Sequence, residues 1–164
     1  MMMPSIEELE ERIKSIIQRG KNTDDVIVKC YEDYIDIDGH KCVKGVAFVK
    51  ETFVNETRYA IYFIHEKGKG LYLRRIGSIP FNIEIKQYEC EYGWFCFVLR
   101  HDNDEYVFYN IDDAIKQLAR ISETGRKRIV RRALFDFVAK KTEEIKVKPG
   151  ESCPCNWQRG VTRA

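Results

Sequence analysis

The middle of the chain, residues 25–109, most constrains the fold because strand-like segments follow one another with very short connections. Segments rich in Val, Ile, Tyr and Phe are separated by turn sequences such as Asp38-Gly39 and Asp102-Asn103-Asp104. Connections of this length permit only antiparallel neighbours, because a parallel crossover needs a dozen or more residues. The pattern predicts strands near 26–31, 33–38, 43–53, 58–65, 70–76, 81–89, 93–100 and 104–109.

Helical patterns flank this strand region. Residues 5–19 are amphipathic, and Ser5 followed by Glu8 forms a capping box that is typical of a helix N-terminus. After the strands, acidic residues and a new apolar period predict a helix over 112–125. A second apolar stripe predicts another helix over 126–144.

The order of these elements predicts an α+β fold. It consists of an N-terminal helix, a curled, mainly antiparallel sheet or roll of about seven to eight strands, and two C-terminal helices. We expect a single domain over residues 1–145. Residues 146–164, in which Pro and Gly break any apolar period, are predicted to form a flexible tail.

Composition and the N-terminal sequence bear on the class of protein and its location. With 44% hydrophobic and 33% charged residues, the chain is not a disordered polyampholyte. Its apolar runs are far shorter than the ~20 residues that span a bilayer, and the N-terminus does not resemble a secretory signal. We therefore expect a cytoplasmic protein without membrane association. The low Gln and Asn content beside many Ile, Glu and Lys is typical of heat-adapted proteins.

The formal net charge of +2 conceals an uneven distribution of charge. Residues 1–112 carry a net charge of −5, and residues 113–164 carry +7. Five cations fall within 126–132, at the start of a predicted helix, where positive charge opposes the helix dipole. An anionic partner explains this arrangement, because free backbone N–H groups and cationic side chains both favour phosphate. The alternative is a solvated basic face that pairs with acids of the same domain.

We therefore predict a small nucleic-acid-binding protein that binds DNA or RNA, or another polyanion, through its basic C-terminal helix. The candidate contact residues are Arg126, Lys127, Arg128, Arg131, Arg132, Arg74 and Arg75. One alternative is a protein–protein interaction or structural homodimer, formed through the N-terminal helix or the apolar strands. An enzyme is the further alternative and is less expected, because the sequence has no phosphate-loop or catalytic-triad pattern. No cofactor is predicted.

Glu84-Ile85-Lys86 is the best catalytic candidate. On a strand, Glu84 and Lys86 point to the same face. This acid-x-lysine spacing resembles metal-dependent nucleases of the PD-(D/E)XK type, and the resemblance covers this tripeptide only. It implies that Glu84 binds a divalent metal and that Lys86 orients water. The competing interpretation is an ordinary solvent-facing strand surface.

Six cysteines occur, at positions 30, 42, 90, 96, 153 and 155. Cys153-Pro154-Cys155 resembles the opening of the SEC-C zinc motif, but the further ligands of that motif do not follow it. A zinc site at Cys153 and Cys155 therefore needs Cys or His from elsewhere in the fold or from a second subunit. Free thiols are the simplest interpretation, and disulfides such as Cys30–Cys42 or Cys90–Cys96 are the alternative.

Overall fold

The computed structural model describes residues 5–31, 44–67, 70–122 and 128–156. They contain three α-helices and eight strands, and the strands form two four-stranded sheets. The predicted α+β fold is confirmed. The predicted curled sheet or roll is wrong, since the strands divide into two sheets that are neither curled nor closed. No helix within these ranges is long and apolar enough to cross a membrane.

The chain divides into two compact units, one built around each sheet. The first comprises residues 1–81 and 122–133, and the second comprises residues 82–121 and 134–164. The predicted strand over 33–38 lies outside the described residues.

The first unit begins with helix α1 (Ile6–Lys21), which precedes an antiparallel sheet. Its strands are β1 (Val26–Tyr31), β2 (Lys44–Thr52), β3 (Thr57–Lys67) and β4 (Gly70–Pro80). They lie side by side in chain order, so each strand pairs with the next one along the sequence. The β3–β4 pairing contains a register shift between Ile61 and Tyr62.

Local sequence explains both ends of α1. The Ser5 hydroxyl accepts a hydrogen bond from the Glu8 backbone N–H at 3.2 Å, as the capping box predicts. At the other end, Asn22 adopts a left-handed conformation with φ 52°, and its N–H donates to the carbonyl of Gln18. Asn tolerates this conformation better than other side chains except Gly. The helix therefore does not end at Gly20 but continues to Lys21, and Asn22 is its C-terminal cap.

Helix α1 covers one face of the first sheet. Its buried side chains Leu9, Ile13 and Ile17 are spaced by four residues and form one stripe. They pack against alternate residues of the strands, among them Val28, Ala47, Val49, Ala60 and Ile64. This apolar layer is one part of the core of the first unit, and the opposite face of the sheet buries Val46, Phe48 and Ile61.

The second unit contains β5 (Glu84–Cys90), β6 (Trp94–His101), β7 (Asp104–Phe108) and β8 (Glu143–Lys146). A short 3₁₀ turn over Glu91–Gly93 joins β5 to β6. Helices α2 (Ile111–Ser122) and α3 (Arg128–Lys141) lie between β7 and β8 in the sequence. The strand order is β7-β6-β5-β8.

Strand β8 pairs parallel to β5, and the strand pattern did not predict it. Helix α3 ends at Lys141, where the Thr142 hydroxyl and backbone N–H both donate to the carbonyl of Val138. The chain then extends alongside β5, and the Val147 N–H donates to the Glu89 carbonyl at 2.9 Å. Residues 146–156, which belong to the segment predicted as a tail, thus include a strand end and the buried Val147.

Removal of one buried isoleucine tests the α1 packing. We expect Ile13→Ala to lower the free energy of unfolding by about 2–5 kcal/mol, because Ile13 is 1% exposed and its loss leaves a cavity. The matched control Ile16→Ala, on the same helix but 40% exposed, should cost less than about 1 kcal/mol. Urea denaturation of both variants measures the difference, and equal losses would contradict this packing.

Candidate nucleic-acid interface and cysteine cluster

The two faces of the first sheet differ chemically, because side chains alternate along each strand. Helix α1 and its apolar partners occupy one face. At one end of the opposite face, the register places cationic and aromatic side chains next to one another. We call this surface the basic–aromatic face, and it consists of Lys29, Tyr31, Phe63, His65, Tyr72 and Arg74 of the strands with Arg132 of α3.

Two adjacent rows of residues cross the four strands on this face. The first row, from β1 to β4, contains Tyr31, Lys44, His65 and Tyr72. The second row contains Lys29, Val46, Phe63 and Arg74. Since neighbouring strands are ~4.8 Å apart, the two ends of a row are separated by about 14 Å.

Two arginines lie over aromatic rings of this face. The Arg132 guanidinium is 4.3 Å from the ring centroid of Tyr31, and that of Arg74 is 5.5 Å from the centroid of Phe63. A guanidinium is attracted to the negative face of an aromatic ring, which favours these positions. Both arginines are exposed, and Tyr72 is 60% exposed. Planar cations and a planar ring are therefore presented to solvent together.

Acidic side chains are kept away from this part of the sheet. Among the described positions of β1–β4, the alternation assigns no Asp or Glu to the face that carries Tyr72 and Arg74. Asp25 precedes β1 and lies at the far end, where its carboxylate accepts a hydrogen bond from the Tyr59 hydroxyl at 2.8 Å. Burial and this carboxylate raise the pKa of Tyr59 well above its ordinary value, so the phenol stays protonated as the donor.

Arg75 lies on the other face of the sheet, although it follows Arg74 directly. The register pairs it with Tyr62, on the side that α1 covers. Its Nη1 forms an ion pair with the Glu51 carboxylate at 3.2 Å, and Glu51 also accepts a hydrogen bond from the Tyr62 hydroxyl. Burial is the main cause that raises the pKa of Tyr62. A carboxylate of the same unit therefore neutralises Arg75.

The structure brings together only part of the predicted set of cations. Arg74 and Arg132 both lie on the basic–aromatic face, Arg132 over Tyr31 of β1 and Arg74 over Phe63 of β3, and Arg131 is exposed on α3. Arg128 is described only as the first residue of α3. Arg126 and Lys127 lie outside the described residues.

Glu84 and Lys86 share one face of β5, as their spacing predicts. Lys86 Nζ lies 2.7 Å from Glu84 Oε1, and this hydrogen-bonded ion pair lowers the pKa of Glu84 and raises that of Lys86. Arg100, opposite Glu84 in the register, also lowers the pKa of this carboxyl. Among the described residues of its unit, Glu84 belongs to no cluster of metal-ligating side chains. The carboxylate of Glu143 lies opposite Lys86 in the β5–β8 pairing and helps to raise the pKa of that lysine, whereas the groups that lower the pKa of Glu84 are the cations Lys86 and Arg100.

Four cysteines of the second unit meet at one place. Cys90 and Cys96 lie on the same face of the β5–β6 hairpin, since Cys90 pairs with Trp94 and Cys96 with Tyr88 in the register. The ligand atoms of Cys90, Cys153 and Cys155 all lie within 4.8 Å of one another. The structure joins Cys90 to Cys153 and Cys96 to Cys155 as disulfides, with Cα–Cα distances of 5.8 and 5.4 Å. The alternative disulfide Cys90–Cys96 is therefore not formed.

The segment after β8 carries the second pair of cysteines back to the hairpin. A turn forms where the Glu151 N–H donates to the Lys148 carbonyl at 3.0 Å, and Gly150 within it has φ 90°, which side chains other than Gly rarely allow. The Tyr109 hydroxyl donates to the Cys155 carbonyl at 2.9 Å. Cys90, Cys96 and Cys155 are buried together with Val98, Val107 and Val147. This cysteine cluster completes a small apolar core on that face of the second sheet.

Comparisons with models of protein families, with curated proteins and with solved structures gave no match to this chain. Function is therefore inferred from the chemistry of the basic–aromatic face and of the cysteine cluster.

The Glu84–Lys86 pair predicts a specific pH dependence. Because the pKa of Glu84 is lowered in the folded protein, the pair contributes stability above the ordinary pKa of a glutamate and loses it as the pH falls through the lowered value. We expect Lys86→Met to return the pKa of Glu84 towards its ordinary value, as measured by NMR titration of the side-chain carboxyl. Lys116→Met, which removes a cation near Asp113 instead, is the control. A Glu84 pKa that is the same in wild type and Lys86→Met would contradict the pairing.

Proposed function

We propose that this protein binds single-stranded nucleic acid on the basic–aromatic face of its first unit. The observation that carries this proposal is the combination of rows of cations and aromatic rings with register positions that hold no acid. Proteins that bind single strands combine a positive groove for the backbone with aromatic rings on which bases stack. The face has both components on a rigid sheet.

The cations of the face suit phosphate. Arg74 and Arg132 are exposed, and the register places Lys29 in the same row as Arg74. A guanidinium binds phosphate oxygens through its planar set of N–H donors. Arg131 adds a further exposed cation on α3. The contacts expected of Arg126, Lys127 and Arg128 stay predictions.

The planar groups of the face suit unpaired bases. Tyr72 is the most exposed aromatic residue of the two rows and offers a ring on which a base stacks. The guanidinium planes of Arg74 and Arg132 offer further stacking surfaces. In a duplex the base faces are already stacked on one another, so a surface of this kind favours single strands.

The homodimer alternative receives less support from α1. Three of its apolar side chains, Leu9, Ile13 and Ile17, are buried against its own sheet. Ile16 is exposed and stands outside that stripe. A helix whose apolar stripe is already covered is a poor seam for a second copy of the chain.

Fluorescence anisotropy with labelled single-stranded DNA and RNA at several salt concentrations tests the proposal. We expect binding with micromolar or tighter affinity at low salt, weakening steeply as salt is added. In the double variant Arg74→Ala/Arg132→Ala, the slope of log affinity against log salt should fall by about 1.4, because each phosphate contact to a single strand contributes ~0.7.

Arg75→Ala is the matched control for this experiment. It removes the same charge from the neighbouring position, but its guanidinium lies on the α1 side and pairs with Glu51. We expect its salt slope to equal that of the wild type. Absence of binding at low salt, or an equal effect of Arg74→Ala and Arg75→Ala as single variants, would overturn the proposal.

A further inference from the structure

The cysteine cluster brings four sulfur atoms from three stretches of the chain to one point. Cys90 Sγ lies 3.6 Å from Cys155 Sγ, although these two cysteines belong to different disulfides. Cys153 Sγ lies within 4.8 Å of both, and Cys96 is bonded to Cys155. A single disulfide needs two cysteines, whereas four cysteines lie together here.

We propose that the reduced protein binds one Zn²⁺ through Cys90, Cys96, Cys153 and Cys155, and that the two disulfides are the oxidised form of the same centre. This inference is independent of the proposed nucleic-acid binding, which uses the first unit.

The spacing of the sulfurs fits a tetrahedral zinc site. With Zn–S bonds of ~2.3 Å, the sulfurs of a four-cysteine site lie about 3.8 Å from one another. The 3.6 Å between the sulfurs of Cys90 and Cys155 is already close to this value. The sulfurs of Cys90, Cys153 and Cys155 already lie within 4.8 Å of one another, and the two bonded pairs have to separate for four sulfurs to surround one ion.

The ligand set and its surroundings favour zinc among the divalent ions. A site of four sulfurs selects Zn²⁺ or iron–sulfur chemistry over Mg²⁺, Ca²⁺ or Mn²⁺, which prefer oxygen. Cys90, Cys96 and Cys155 are buried, and Cys153 is half-buried. Four protein ligands leave no open coordination position, which is the pattern of structural rather than catalytic zinc.

The exchange between the two forms balances in electrons and protons. The two disulfides accept four electrons and four protons from a dithiol reductant, which is itself oxidised to disulfides, and four thiols result. Zn²⁺ then displaces the four thiol protons to solvent, and the centre carries a net charge of −2. In the reverse direction, a disulfide oxidant takes up the four electrons with four protons from solvent and becomes dithiol, while Zn²⁺ is released and the two disulfides form again.

Either form fastens the C-terminal segment to the β5–β6 hairpin. Beyond β8, the described contacts of this segment with the sheet include the Val147 backbone hydrogen bond, the Tyr109–Cys155 hydrogen bond and the cysteine cluster. Reduction without metal removes the covalent links and leaves the weaker contacts. Zn²⁺ binding should therefore order residues 147–156 in the reduced protein.

The test begins with the full chain, reduced with a phosphine under nitrogen and freed of metal by a chelator. Addition of Co²⁺ should give the intense visible bands of a tetrahedral thiolate site with an end point of one ion per chain, and Zn²⁺ should abolish them. Native mass spectrometry should find one Zn²⁺ per wild-type chain. Alkylation followed by mapping should show all four cluster cysteines protected by Zn²⁺ and open after chelation.

The double variant Cys153→Ser/Cys155→Ser should lose the bound Zn²⁺ and the cobalt bands. Cys30→Ala, which alters a buried cysteine of the first unit, should retain both. The wild-type stoichiometry and protection pattern decide the proposal even if the double variant does not fold. A reduced wild-type chain that binds neither Co²⁺ nor Zn²⁺, or binds them with the four thiols still open to alkylation, would overturn it.

Discussion

The alternation of side chains along β-strands is the constraint on which both candidate sites depend. In β4 it sends Arg74 and Arg75 to opposite faces of the sheet, so one joins an aromatic surface and the other pairs with Glu51. In the β5–β6 hairpin it places Cys90 and Cys96 on the same face, where the returning segment meets them. Neither site forms if the register of these strands shifts by one residue.

The same constraint gives the two faces of the first sheet different roles. One face of its sheet is filled by α1, whose apolar stripe supplies the core. The other face buries Val46, Phe48 and Ile61 and carries cations over aromatic rings at one end. In the second unit, the residues that complete the small core are also potential metal ligands, so stability and chemistry coincide in the cysteine cluster.

Local signals in the sequence predicted much of the fold. The capping box at Ser5 and Glu8, the strand runs and the short turns all depend on neighbours in the chain, and the structure has the corresponding helix and antiparallel strands. Turn lengths show which strands pair, but they do not show where one sheet ends and the next begins. For this reason the predicted single curled sheet was wrong. Strand β8 was missed because its parallel partner is reached only after two helices.

The sites were harder to predict because they combine distant residues. Side chains of adjacent residues on a strand point to opposite faces of the sheet, so the sequence already indicated that Arg74 and Arg75 lie on different faces. The partners of Cys153 and Cys155 lie 63 and 59 residues away and become visible only with the register of the hairpin and the path of the chain after β8. The cation–π contact of Arg132 with Tyr31 likewise joins two elements that no local pattern connects.

Photo-crosslinking to a bromouracil-substituted single strand, followed by mass spectrometry of the crosslinked peptides, tests the proposed interface most directly. The exposed ring of Tyr72 should be the principal crosslinked residue, because it is the ring on which a base is expected to stack. The crosslink should disappear when unlabelled single strand competes. Crosslinks confined to α1 or to the cysteine cluster, with none on the basic–aromatic face, would contradict the account.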